Sequence, residues 1–157
     1  MIEDQHALTL SERFPKEMEA PGRADILIEL SKFGIGSANT IQLIDTTHDA
    51  RDVRLNYIID KKWVLRFCNA PDMTEKRMGE LNRLIGRYRA MGFLCPAFIA
   101  DDNGNYLHPW KHSLCYLSEY IDRPLAGDME LNDEEQLTFQ VAENVALFAE
   151  TYRDVDL

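Results

Sequence analysis

The chain reads as an α+β domain, a five-stranded, mostly antiparallel sheet with one long helix packed on it. Three observations predict this. Val53, Leu55, Tyr57 and Ile59 alternate with the polar Arg54 and Asn56, the period of a half-buried strand. Met78, Leu81, Leu84, Ile85, Tyr88 and Met91 recur at helical spacing. Beyond them, 97–100 and 113–121 return to β-forming residues. The order is helix, three strands, helix, two strands, linker, helix, with strands and helices segregated as in α+β layouts.

Each element has its own justification. Residues 1–22 hold Pro15, Pro21, Gly22 and few apolar residues, so an irregular or short helical lead-in is expected. Ala24–Phe33 reads as a short helix that Gly34 and Gly36 end. Thr40–Asp45 is a short β-rich run. Val53–Ile59 and Trp63–Cys68 flank the polar turn Asp60-Lys61-Lys62, which predicts a hairpin. The long helix spans Met73 to Met91, with Asp72 and Glu75 at capping-box spacing and Gly92 as its stop. Gly79 and Gly86 inside it each cost about 1 kcal/mol relative to Ala, so packing must hold this helix. Ala97–Ala100 leads into the turn 101–105, a loop carries His108, Pro109 and Trp110, and Ser113–Ile121 is the last strand. A final helix runs from about Asp133 to Tyr152 along the stripe Leu137, Val141, Val145, Phe148 and Tyr152.

Composition excludes several classes. The 157 residues are 45% hydrophobic and 28% charged, which is ordinary for a folded domain. A net charge of −10 argues against nucleic acid as a partner, because phosphate backbones need a basic surface. No apolar run is long enough for a membrane helix, and the opening MIEDQH lacks the features of a secretory leader, so a cytoplasmic location is expected. The cysteines, Cys68, Cys95 and Cys115, form no CxxC pair, so neither a disulfide framework nor a zinc site is expected. Residues 122–157 carry a net −8 and residues 1–121 only −2, which puts a boundary near Asp122. The chain therefore divides into a lobe at 1–121 and a linker with helix at 122–157.

Short motifs add a resemblance to this layout. WVLRF (Trp63–Phe67) sits on the third strand, Glu80 on the following helix, and YLSEYIDRP (Tyr116–Pro124) closes the lobe. Together with the element order, these resemble the small lobe of the protein-kinase-like fold, and within it the aminoglycoside phosphotransferase and choline kinase-like family. The resemblance covers roughly residues 24–152. It implies an ATP site. Arg66 would supply the strand-mounted cation for the α and β phosphates, a task for which a guanidinium fork is well shaped. Glu80 would aim that cation. Val64, on the same strand face as Arg66 by period-2 spacing, would roof the adenine. The carbonyl of Ser118 and the amide of Tyr120 would meet the adenine edge. Thr46 and Thr47, in the glycine-free turn Thr46–Asp52, would offer hydroxyls to phosphate.

Plainer readings stand beside these. An arginine on a strand also covers apolar neighbours with its stem. Glu80 could be a solvated helix acid, and turn chemistry explains Thr46 and Thr47 equally well. GIGSAN (Gly34–Asn39) reads as a helix stop rather than a phosphate loop. His108 and His112 have Pro109 between them, so a helical metal pair is not expected.

The family places its catalytic Asp, the following Asn and its metal-binding Asp in the large lobe. Neither His48–Asp52 nor Tyr152–Asp156 supplies that set, so no catalytic and no metal-binding residue is assigned, and Mg2+ is expected only with large-lobe residues. Two expectations follow. The chain is the front portion of a longer phosphotransferase whose large lobe covers the 133–152 helix. Alternatively, it is a stand-alone interaction or pseudokinase-like module that dimerises through that helix.

Overall fold

The computed structural model describes residues 20–47, 53–69 and 73–122. Most of the expected 1–22 lead-in, most of the 46–52 turn and the 133–152 helix lie outside the described residues. Those described form two helices and six strands. In chain order they are α1 (Arg23–Lys32), β1 (Ile41–Asp45), β2 (Arg54–Ile59), β3 (Trp63–Cys68), α2 (Glu75–Ala90), β4 (Phe98–Ile99), β5 (His108–Trp110) and β6 (Ser113–Glu119).

All pairings are antiparallel, and the strand order is β1-β2-β3-β6-β4. The sheet has six strands rather than five, because the loop around Pro109 is itself a strand, β5, paired with β6. One edge of β6 is taken along its length by β3. β4 and β5 share the other edge, β4 opposite Leu117–Ser118 and β5 opposite Ser113–Cys115. Pro109 lacks an N–H to give a ladder, which suits a short outer strand.

The alternation read in β2 now has a cause. Leu55, Tyr57 and Ile59 share a face with Leu65 and Phe67 of β3 and Cys115 and Leu117 of β6, and Ile26 and Leu30 of α1, with Phe33 just beyond it, cover them. Leu30, Ile59, Leu65, Cys115 and Leu117 are fully buried there. Phe67 packs edge-on against both Tyr57 and Trp110. α1 ends where Gly34 takes a left-handed φ of 78° and the Ile35 N–H turns back to the Leu30 carbonyl at 3.1 Å. The β2–β3 hairpin turns on Asp60 and Lys61, both left-handed, with φ of 49° and 51°. Hairpins favour that twist, though usually with Asn or Gly. The Asp60 carboxylate fixes it by accepting the amides of Asn39 (3.0 Å) and Thr40 (2.7 Å).

α2 starts later than the sequence predicts. Thr74, not Asp72, is the cap, and its hydroxyl accepts the Arg77 N–H at 3.2 Å. Glu75 is not part of a capping box. Its carboxylate accepts the amides of Tyr106 (2.9 Å) and Leu107 (2.7 Å), which ties the first turn of α2 to the loop before β5. Asn82 grips β4, since its amide accepts the Phe98 N–H (2.9 Å) and donates to the Phe98 carbonyl (3.2 Å) and the Tyr106 hydroxyl (3.2 Å). The side chain thus stands in for a neighbouring strand at an edge. Arg89 closes the far end on Glu119 at 2.9 Å.

Candidate functional site

The register of the sheet builds a second face, opposite α1. One row across it is Ile44, Asn56, Arg66 and Tyr116, and the next is Gln42, Ile58, Val64, Ser118 and Phe98. Residues paired across antiparallel strands point to the same side, so these rows are side-chain neighbours. A cleft of about 700 Å3 lies over them. Ile58, Val64 and Arg66 line it from the strands, Leu94 and Pro96 from the segment after α2, and Glu119–Ile121 from the end of β6. A second cleft of about 370 Å3, lined by Arg54, Cys68, Met73 and Tyr116, shares Thr46, Asn56 and Arg66 with the first. Arg66 therefore borders both. Among the described residues, Ile44 and Leu94 are large apolar side chains left exposed, 42% and 61%, and both line the larger cleft.

The electrostatics centre on Arg66. It is half-buried on a central strand. Its Nη1 donates to Ser118 Oγ at 2.5 Å, and its guanidinium lies 5.8 Å from the Tyr116 ring centroid. Among the described residues it pairs with no carboxylate. Burial pulls its pKa below the usual arginine value, while Tyr116 and Cys68 oppose that shift. Arginine stays charged at any ordinary pH. A charge withdrawn from water without a counter-charge is costly, and an anion in either cleft would relieve that cost.

The other sequence-predicted residues meet different fates. Val64 is buried beside Arg66 on the cleft face, as the strand period requires. Glu80 does not meet Arg66. It forms an i,i+3 ion pair with Arg83 on its own helix. The Tyr120 N–H is committed to the Lys62 carbonyl at 2.8 Å. Ser118 pairs with Val64, and the same pleat phase turns its backbone groups toward β3. The Tyr120 amide is thus taken inside the sheet, and the Ser118 carbonyl faces the neighbouring strand. Ser118 reaches Arg66 through its side chain instead. Thr46 lines both clefts, and its hydroxyl accepts from Asn56 Nδ2 at 2.9 Å. The Thr47 hydroxyl accepts the Arg54 N–H at 3.1 Å. Both threonines close the β1–β2 ladder, as turn chemistry suggests.

Sequence reasoning missed Asn56, Tyr116 and Ile121. Asn56 and Tyr116 flank Arg66 on the two neighbouring strands, a placement that only the pairing register could have shown. Ile121 lines the cleft one residue beyond the committed Tyr120 amide. Among the described residues no cluster of His, Cys, Asp or Glu could hold a metal ion, and no helix is long and apolar enough to cross a membrane. No family model matches the chain, and no curated protein matches it either.

Proposed function

We propose that this chain is the nucleotide-binding small lobe of an ATP-dependent small-molecule phosphotransferase, similar to the aminoglycoside phosphotransferase and choline kinase-like family. The observation that carries the reading is Arg66, a half-buried cation without a carboxylate partner among the described residues, set between a mostly apolar cleft and a second, more polar one. The element order, with a helix between β3 and the last strands and a linker leaving β6 at the cleft, supports the kinase-like assignment.

In this reading the adenine ring lies in the larger cleft, between Ile58 and Val64 on the sheet and Leu94 on the opposite lip. Its edge faces the backbone at Ile121, because the Tyr120 amide is already bonded. The triphosphate extends toward Arg66. Thr46 borders the same space with its hydroxyl. Transfer to an acceptor hydroxyl is assigned to residues outside this lobe. The described residues do not fit a Mg2+ site, and the metal, like the acceptor, is assigned to residues outside this lobe.

Calorimetric titration of the full chain with ATP tests the reading, with Arg66→Ala alongside. Loss of a charge-assisted contact predicts roughly 10- to 100-fold weaker binding in the variant. Equal affinity in the two proteins removes Arg66 from the role. Absence of nucleotide binding together with concentration-dependent dimerisation favours an interaction module instead.

A further inference from the structure

Resting on that nucleotide reading, we infer that Ser118 and Tyr116 of β6, rather than a carboxylate on α2, are the positioning residues that hold the Arg66 guanidinium toward an anionic ligand. Ser118 is 1% exposed, so its hydroxyl must satisfy itself within the protein. It donates to the Glu119 carbonyl at 3.2 Å, and this fixes the hydroxyl proton. The lone pairs then face Arg66 Nη1 at 2.5 Å. Tyr116, directly opposite Arg66 in the register, sets its ring against the guanidinium and is braced edge-on by Phe98 at 5.8 Å. Arg66 is therefore gripped by two neutral groups on one neighbouring strand.

Neutrality matters for what the site does. A carboxylate clamp would orient the guanidinium but cancel part of its charge. A hydroxyl and an aromatic face orient it and leave the charge for the ligand. Glu80 is turned to Arg83, and α2 itself is anchored through Glu75, Asn82 and Arg89. Among the described residues the cation is thus aimed by the sheet, and no side chain of α2 is recorded holding it.

The test uses the full chain with ATP and adenosine as paired probes, in the wild type, Ser118→Ala and Glu80→Gln. Side-chain 15N resonances of Arg66 are recorded without ligand. Ser118→Ala is expected to weaken ATP roughly tenfold, to leave adenosine unchanged, and to merge the Arg66 Nη signals as the fork begins to rotate freely. Glu80→Gln is expected to change none of these. Equal losses for ATP and adenosine would make Ser118 merely structural and overturn the inference. So would unaltered Arg66 signals in Ser118→Ala, or an ATP loss in Glu80→Gln as large as in Ser118→Ala. Wild type that binds no ATP yet keeps split Arg66 signals, lost in Ser118→Ala, overturns the nucleotide reading and leaves the clamp standing.

Discussion

Replacing Asn82 by Ala should destabilise the fold by about 2 kcal/mol. The side-chain amide makes three hydrogen bonds, two with the Phe98 backbone and one with the Tyr106 hydroxyl. Each neutral bond contributes about 1 kcal/mol net, and the truncation leaves part-buried backbone groups of β4 without a partner. Against this sum of about 3 kcal/mol, Ala gains roughly half a kcal/mol or more of helix propensity over Asn. The remainder of about 2 kcal/mol corresponds to a fall in Tm of about 4–8 °C for a chain of this size. Thermal unfolding followed by circular dichroism measures it, with urea midpoints as a check. Arg83→Ala is the control. Its i,i+3 pair with Glu80 is partly exposed and should change stability by no more than about 0.5 kcal/mol. An Asn82→Ala protein as stable as the control would refute the view that polar latches hold α2 to the sheet.

Three further outcomes are expected. Lys61→Gly should stabilise the protein by about 1 kcal/mol, because the left-handed backbone at φ 51° burdens any residue with a Cβ, and a Tm rise of about 2–4 °C reports it. Asp101 has its pKa held below the usual carboxylate value, chiefly by the Asn105 amide and also by the Asn103 amide. Its contribution is therefore complete above the unfolded value and is lost as pH falls through the lower folded one, so urea midpoints should drop below about pH 4, and less steeply in Asp101→Asn. Cys115 is fully buried and its thiol pKa is pushed up by burial, whereas Cys95 is partly exposed. A disulfide reagent should therefore label Cys95 first in the native protein and reach Cys115 only on unfolding; simultaneous labelling would contradict the buried placement.

The sequence displays local periodicity well and long-range pairing poorly, and the site shows where the division falls. β3 was legible to the residue, Trp63 to Cys68, because five apolar positions sit between a polar turn and Asn69. β5 was not, because three residues centred on Pro109 carry no readable period. The cap of α2 fell at Thr74 because Glu75, the expected capping partner, reaches residues 31 and 32 positions away. Arg66 and Val64 were legible from strand phase. The partner of Arg66 was not, since Ser118 lies 52 residues on and meets it only through the β3–β6 register. The hinge expectation did not take pleat phase into account. The Tyr120 N–H donates to the Lys62 carbonyl and the Glu119 N–H to the Ala97 carbonyl, so Ile121 is the next position along the strand end.

The central claim is that the sheet face bearing Arg66 is the ligand face. Amide chemical-shift mapping of the 15N-labelled chain during an ATP titration tests it most directly. The account predicts saturable shifts at Asn56, Ile58, Val64, Arg66 and Ile121, with Ile26 and Leu30 of α1 unmoved. Shifts centred on α1, or no saturable shifts at all, would contradict it.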